Sequence, residues 1–147
     1  MITLRHFCLE DAEALHSLFY PELSMAGIAD MIRAWDSRVY QGKYFEMFAV
    51  AHDGAIVGCA SLCERSSSVA SAGIEIAPAE RKKGFATEAM AALLDFAAKK
   101  GCRIILDQVR TDNPASIRLH EKLGFASDGY VYRNQREHAV FVFVKPL

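Results

Sequence analysis

The sequence predicts an α/β fold, with a central mixed β-sheet of about six or seven strands flanked by about four helices. Three observations support this prediction. Two segments with strand character flank Asp53-Gly54, a pair typical of a tight antiparallel hairpin. A strand–helix–strand unit follows, and such a crossover returns to the same sheet as a parallel strand. A short helix and two further strand-like segments complete the chain.

Start and stop signals locate the elements of the first half. Asp11 lies in an acidic first turn, and Pro21 follows the expected end of the same helix. The predicted elements are a strand at 2–7, a helix at 10–19, a less regular helical piece at 24–38, and strands at 44–51 and 55–63.

The second half has clearer helix signals. Ala86, Met90 and Leu93 share one helix face, and Gly101 is placed to end that helix. Asn113-Pro114 is a typical start for the next helix. The predicted elements are a strand at 69–77, a helix at 85–100, a strand at 103–109, a helix at 115–123, and strands at 125–132 and 139–144.

The composition favours a single globular domain over residues 1–147. Hydrophobic residues make up 52% of the chain and charged residues 24%, which is ordinary for a soluble domain. The formal net charge of -1 provides no broad basic field. We therefore expect neither nucleic acid nor a membrane surface as a partner. The sequence does not decide between a monomer and a homodimer.

Targeting and metal-binding signals are not expected either. The first residues lack the apolar core of a signal peptide, and the apolar run at 139–144 is too short to span a bilayer. We therefore expect a cytoplasmic protein. Cys8, Cys59, Cys63 and Cys102 form no C-x-x-C pair and no set with zinc spacing, so we expect free thiols and no metal.

The first motif with chemical content joins the end of a strand to the start of a helix, from Ile76 to Thr87. The first turn of a helix has unpaired N–H groups and a positive dipole end, and the small Gly84 and Ala86 let a pyrophosphate approach the backbone. Donor side chains surround the same point: Arg81, Lys82, Lys83 and Thr87. An ordinary surface turn is the alternative, and the segment is neither a Walker loop nor a G-x-G-x-x-G loop.

The second motif is the short helix and its end, from Asn113 to Phe125. Helical spacing places His120 on the same face as Leu119 and Leu123, so the imidazole is expected to turn toward the body of the protein. The alternative to a catalytic role is a packing histidine that bonds a backbone carbonyl.

Together the two motifs resemble those of the GNAT superfamily of N-acyltransferases. Arg81-Lys82-Lys83-Gly84-Phe85-Ala86 matches the family's acetyl-CoA turn, and Asn113 with Glu121-Lys122-Leu123-Gly124-Phe125 matches its later helix. The resemblance covers nearly the whole chain. It implies the GNAT fold and transfer of an acetyl group from acetyl-CoA, as co-substrate, to an amine acceptor. The implied cofactor-binding residues are Ile76, Ala77, Arg81, Lys82, Lys83, Gly84, Phe85, Ala86, Thr87, Asn113 and Ser116.

The resemblance also implies a mechanism of direct attack by the amine on the thioester. Glu75 is the candidate general base, because it precedes the turn and alternates with two apolar strand residues; a solvent-facing glutamate is the alternative. A backbone N–H near Ile76 is the expected oxyanion donor. His120 stands where many family members have a tyrosine, and it is the candidate acid for the leaving thiolate.

Three further possibilities stay open at this level. The missing tyrosine allows a non-catalytic acyl-CoA-binding module as an alternative. A covalent route through Cys59 or Cys63 would need an activating partner, which the local sequence lacks. Aromatic residues before the second hairpin strand are expected either in an acceptor pocket or in the core: Trp35, Tyr40, Tyr44 and Phe45.

Overall fold

The structure, a computed structural model, describes residues 1–147. Its helices are α1 (Ala12–Leu18), α2 (Met25–Asp36), α3 (Phe85–Lys99) and α4 (Pro114–Lys122). Its strands are β1 (Ile2–His6), β2 (Val39–Tyr40), β3 (Lys43–His52), β4 (Ala55–Ser66), β5 (Val69–Ile76), β6 (Ile104–Arg110), β7 (Tyr132–Arg133) and β8 (Ala139–Pro146). None of the helices combines the length and the apolar character needed to cross a bilayer.

The strands form one mixed sheet in the order β1-β3-β4-β5-β6-β8-β7, with β2 paired to β3 beside this path. The hairpin between β3 and β4 turns at Asp53 and Gly54, both with positive φ, as a two-residue turn of this type requires. The crossover through α3 returns to the sheet as β6, which lies parallel to β5. The predicted mixed sheet, antiparallel meander and parallel pair are therefore confirmed.

The helices cover both faces of the sheet. On one face α3 and α4 pack over a core that includes Val50, Leu93 and Ile105. On the other face α1 and α2 pack over a smaller core that includes Leu15, Ile28 and Ala49. Alternation along the strands explains the division, because neighbouring residues such as Ala49 and Val50 point to opposite faces.

The pairing between β5 and β6 is short, and this positions the site. Only Val69 with Ile104 and Ala70 with Ile105 are in register. Beyond them β5 stays paired to β4 as far as Ile76, whereas β6 stays paired to β8 along its whole length. The two parallel strands therefore diverge, and a cleft opens between them toward their carboxyl ends.

The predicted strand at 125–132 is wrong. Only Ala126 bridges to the sheet, through Val144, before the chain turns at Asp128 and Gly129. Asp128 and Ser127 accept hydrogen bonds from the local backbone, which competes with sheet pairing. The strand count is eight, above the expected six or seven, because the two-residue strands β2 and β7 are too short to show a periodicity.

Candidate active site

Three cavities meet at Ile74. The strand cleft, of about 380 Å³, lies between Ser71–Ile74 of β5 and Asp107–Val109 of β6. The turn cavity, of about 750 Å³, continues from it over the start of α3. The side cavity, of about 220 Å³, opens toward Tyr20 on the α1 side of the sheet. A long ligand that lies along the first two cavities would thus present one end to a molecule in the third.

The turn before α3 offers a row of free backbone donors. Gly84 caps the helix with φ of 84°, a conformation that favours glycine, and no side chain caps the first turn. The N–H groups of residues 82–87 have no acceptor within the protein. A Cβ added at Gly84 would meet nothing within 4 Å, so the space beside this glycine is open. Free amides, a helix dipole and open space together fit a phosphate group.

The predicted cations of this turn differ in their availability. Arg81 donates from Nε to the carbonyl oxygen of Ile76 at 3.0 Å, which holds the turn in place. Lys83 pairs with Glu80 at 2.9 Å, whereas Lys82 has no ion pair. Lys82 is therefore the cation of the turn that is free to meet a phosphate.

Two further cations, Arg118 and Lys122, line the turn cavity from α4, and sequence reasoning missed them. Neither side chain has an ion pair within the protein. Their four-residue spacing was an available signal, since it puts both on one helix face.

Most of the predicted cofactor-binding residues line the turn cavity, but Ala77 and Lys83 do not. Ala77 is buried and donates its N–H to Val57. Phe85 lines the cavity but is mostly buried, with its ring against His52. The predicted residues that line the cavity are Ile76, Arg81, Lys82, Gly84, Phe85, Ala86, Thr87, Asn113 and Ser116.

Asn113 caps α4, because its side-chain oxygen accepts the N–H of Ser116 at 3.1 Å. Both residues also line the turn cavity. The structure thus assigns Asn113 a helix cap and, at the same time, leaves its amide within reach of a ligand.

Strand geometry supplies N–H groups inside the strand cleft. Ala77 donates to Val57 of β4, whereas Ala72 donates across the divergence to Asp107 of β6. Because successive N–H groups of a strand point to opposite sides, those of Ile74 and Ile76 point the same way as that of Ala72. No strand pairs with them there, since β6 has already diverged.

Glu75 points to the face of β5 opposite that of its neighbour Ile76, and it pairs with Cys59 of β4. It lines both the turn cavity and the side cavity. Tyr20 lines the same side cavity, and burial followed by the nearby Cys59, Glu75 and Glu22 raises the pKa of its hydroxyl. Sequence reasoning missed Tyr20, because it lies far along the chain from both motifs. An exposed carboxylate beside a phenol gives this cavity an acceptor of protons and a negative charge.

The side chain of Cys59 also faces the side cavity, but it is a poor nucleophile there. Burial, and then the charge of Glu75, raises the pKa of the thiol to about 12. The thiolate is therefore scarce at neutral pH, which disfavours a covalent acyl-cysteine route.

None of the four aromatic residues that the sequence offered for an acceptor pocket lines the side cavity. Trp35 packs on Phe7, and Tyr40 packs on Phe45. Tyr44 donates its hydroxyl to Glu46 of β3, outside the side cavity. These residues serve packing and a separate polar cluster.

His120 is buried, 4% exposed, and both of its ring nitrogens have partners. Nε2 lies 2.8 Å from Oδ2 of Asp107, and Nδ1 lies 2.8 Å from the carbonyl oxygen of Ser116. Burial lowers the pKa of the imidazole, but the hydrogen bonds to Asp107 and Ser116 outweigh it, so the pKa is raised. The ring lines the strand cleft, yet neither nitrogen is free.

The sequence matches the model of the Acetyltransferase (GNAT) family over residues 9–125. The aminoglycoside N(6')-acetyltransferase type 1 of Salmonella typhimurium is 28% identical over 96 residues, a match that covers 59% of this chain and 66% of that protein. The chain therefore spans slightly less than two thirds of that relative's length.

Solved structures share the fold over almost the whole chain. The spermidine N-acetyltransferase from Vibrio cholerae in complex with CoA and spermine has a TM-score of 0.79 and 22% identity, and the match covers 99% of this chain and 95% of that one. The microcin C7 self-immunity acetyltransferase MccE in complex with acetyl-CoA and AMP has a TM-score of 0.83 and 16% identity, with 99% and 92% covered. At these identities the likeness shows the fold.

Proposed function

Because the chain belongs to the GNAT acetyltransferase family, we propose that it transfers the acetyl group of acetyl-CoA directly to the primary amine of a small cationic acceptor. The observation that carries this proposal is the meeting of three cavities at Ile74. The turn cavity has the donors for phosphates, the strand cleft has the depth for the thioester arm, and the side cavity has a carboxylate for the amine.

The residues around the turn cavity fit the phosphates of CoA. The free N–H groups of residues 82–87 bind oxygen atoms, and Lys82, Arg118 and Lys122 balance the charge. When bound, acetyl-CoA supplies an activated acetyl group as its thioester. The N–H groups of Ile74 and Ile76 hydrogen-bond the arm and the acyl oxygen in the strand cleft, where preorganised donors stabilise developing negative charge.

Glu75 takes the proton of the incoming amine in this proposal. An alkyl ammonium has a pKa near ~10, so at neutral pH the acceptor arrives protonated and must lose a proton before it attacks. The Glu75 carboxylate lines both the side cavity and the turn cavity, so it can meet the ammonium directly or through water.

The charge of the side cavity supports a cationic acceptor. Glu75 lines it, Glu22 lies close enough to act on Tyr20, and none of the lining residues is basic. Two of the three proteins compared above are named for acetyl transfer to an aminoglycoside or to spermidine, which are cationic amines. This lining also favours an enzyme over a non-catalytic acyl-CoA-binding module, which has no need of a carboxylate at that place.

The leaving thiolate takes its proton from water in our proposal. A thiol has a pKa near ~8.5, so its thiolate is a tolerable leaving group. A direct acid role for His120 stays a prediction, and it requires the ring to give up its bond to Ser116 or to Asp107.

A thiol-release assay with purified protein and acetyl-CoA tests the function. The acceptor panel holds spermidine, an aminoglycoside, an amino acid amide with a single free amine, and a peptide with a free N-terminus. We expect turnover with the small polycations, and loss of that turnover in Glu75→Gln without a loss of CoA affinity. Turnover only with the peptide would contradict the acceptor class, and no CoA binding by calorimetry would contradict the function itself.

A further inference from the structure

A buried carboxylate bridges the point at which β5 and β6 diverge. Asp107 is 4% exposed and accepts the N–H of Ala72 on Oδ1 at 2.9 Å. Its other oxygen, Oδ2, meets Nε2 of His120 at 2.8 Å. One side chain of β6 therefore bonds the opposite wall of the strand cleft and the helix α4 at the same time.

A count of protons gives this pair its charge. The carbonyl oxygen of Ser116 lies 2.8 Å from Nδ1 and only accepts, whereas the Ser116 hydroxyl is at 3.5 Å, so this nitrogen carries a proton for the short contact. The Nε2 contact needs one more proton, on the imidazole or on the carboxyl. We place this proton on the ring, because the ordinary pKa of histidine lies about 2.6 units above that of aspartic acid and because Oδ1 already accepts the N–H of Ala72.

From this geometry we propose that Asp107 is a positioning residue that holds His120 as a doubly protonated imidazolium and thereby sets the width of the strand cleft for the arm of CoA. The imidazolium ties α4 to the sheet, and α4 brings Ser116, Arg118 and Lys122 to the turn cavity. Phe125 and Phe143 pack against the ring and keep water from it. The inference rests on the proposed binding of CoA for its effect, but the charge of the pair does not.

The bridge has a pH dependence with a definite sign. The pKa of His120 is raised in the folded state, so its stabilising bond is fully present below the ordinary pKa of histidine and is lost as the pH rises through the folded value. A neutral ring can donate only one of the two bonds. CoA affinity should therefore fall on the alkaline side.

Few other ionisable groups face the strand cleft. Apart from Asp107 and His120, the ionisable residues that line it are Cys63 and Arg65 of β4. Arg65 donates a hydrogen bond from Nε to the hydroxyl of Ser71. The surfaces that α3, β5 and β8 present to the ring are apolar side chains or backbone. A variant that changes only the pair therefore shows which part of a pH effect on CoA affinity comes from the pair.

Asp107→Asn is that variant. The amide is isosteric, its oxygen can keep the bond from Ala72, and its NH₂ can donate to Nε2 of a neutral His120. Every contact survives while both charges disappear. We expect CoA affinity at pH 7 within about threefold of the wild type, because no partner is left unpaired. We also expect the alkaline fall in CoA affinity to vanish relative to the wild type.

Asp107→Ala removes both bonds at once. We expect CoA affinity to fall about tenfold or more, since a misplaced wall of a binding cleft has large effects. Glu46→Gln is the control, because Glu46 is also buried but lies three strands away from Asp107, outside the cavities that meet at Ile74. It should lower stability and leave CoA affinity unchanged.

Nitrogen-15 NMR of the histidine rings reads the charge without any ligand. His120→Gln identifies the His120 signals among the five histidines. The wild type at pH 7 should show two protonated ring nitrogens, and Asp107→Asn should show one. A neutral His120 in the wild type would overturn the inference even if CoA binds, as would equal alkaline losses of affinity in the wild type and in Asp107→Asn. Failure of the wild type to bind CoA, with the imidazolium present, would refute the proposed function and the positioning effect but not the ion pair.

Discussion

Two buried carboxylates of the sheet bond a histidine: Asp107 in the strand cleft, and Glu46 three strands away on β3, near Lys100 at the C-terminus of α3. Asp107 has two donors, the N–H of Ala72 and a fully buried imidazole. Glu46 is served by more groups: Tyr44 donates its hydroxyl, His6 lies at 2.5 Å and the Lys100 ammonium at 3.8 Å.

The Asp107 site and the Glu46 site therefore respond differently when one partner of the carboxylate is lost. Burial raises the pKa of Glu46, but the hydrogen bonds from Tyr44 and His6 outweigh it, and the pKa is lowered. The side chain of His6 is 46% exposed, so water can replace it. Nothing can replace His120 in the same way. The polar groups around Glu46 satisfy one another, as in a structural cluster. The strand cleft beside Asp107 instead keeps free N–H donors for a ligand, those of Ile74 and Ile76.

The largest effect that we expect is on turnover, from a substitution of Glu75. Glu75→Gln should lower kcat by about 10³-fold, within the usual range for loss of a general base. The melting temperature should not change, because Glu75 is exposed. CoA affinity should not fall, because the substitution removes a negative charge from the lining of the turn cavity. Steady-state thiol release with the best acceptor of the panel measures this effect.

Glu22→Gln is the control for charge alone. It should raise the acceptor KM and leave kcat intact, since Glu22 acts on the side cavity only from a distance. A Glu75→Gln enzyme with kcat within threefold of the wild type would remove Glu75 from the mechanism.

The next largest effect is on the stability contributed by Glu46. Glu46→Ala should lower the free energy of unfolding by about 2 kcal/mol, because it leaves the half-buried hydroxyl of Tyr44 without its acceptor. Urea denaturation measures the loss, and calorimetry in the absence of urea should find the CoA affinity of the wild type. A CoA affinity tenfold weaker than that of the wild type would mean that Glu46 is coupled to the CoA site, and it would contradict the separation of the two sites.

Most of the fold could be predicted from local sequence signals. The Asp53-Gly54 turn, the face of α3 and the Asn113-Pro114 start each agree with the structure, because each depends on neighbours in the chain. The prediction of a strand at 125–132 was wrong. The apolar residues of this segment suggested a strand, but Asp128 and Gly129 turn the backbone away from the sheet.

The candidate site was less predictable, because its parts come from distant segments. The sequence indicated the turn before α3, but not Tyr20 or Asp107, which reach the site only through the sheet topology. Asp107 did leave a signal. It sits between Ile105 and Val109 on the inward face of β6, and a carboxylate there needs a buried partner.

A smaller effect is expected at the turn. Gly84→Glu should weaken CoA binding by about 10²-fold, because a carboxylate then lies beside the free N–H groups and repels phosphate. Calorimetric titration with CoA measures the change.

The chain offers a matched control for backbone strain. Gly101 also has a positive φ, of 96°, and its added Cβ likewise meets nothing within 4 Å, but it lies at the far end of α3. Gly101→Glu should lose similar stability and keep its CoA affinity. If both variants bind CoA equally well, the turn is not the phosphate site.

The smallest effect separates the two roles of Asn113, as helix cap and as a ligand-facing side chain. Asn113→Ala should cost about 1 kcal/mol of stability, because the N–H of Ser116 loses its acceptor. Asn113→Ser restores a cap but shortens the side chain, so it should recover stability. If the amide also binds CoA, Asn113→Ser keeps the weaker affinity of Asn113→Ala despite its recovered melting temperature. Affinities that follow stability across the three proteins would instead leave Asn113 as a cap alone, and the contacts of α4 with CoA would then rest on Ser116, Arg118 and Lys122.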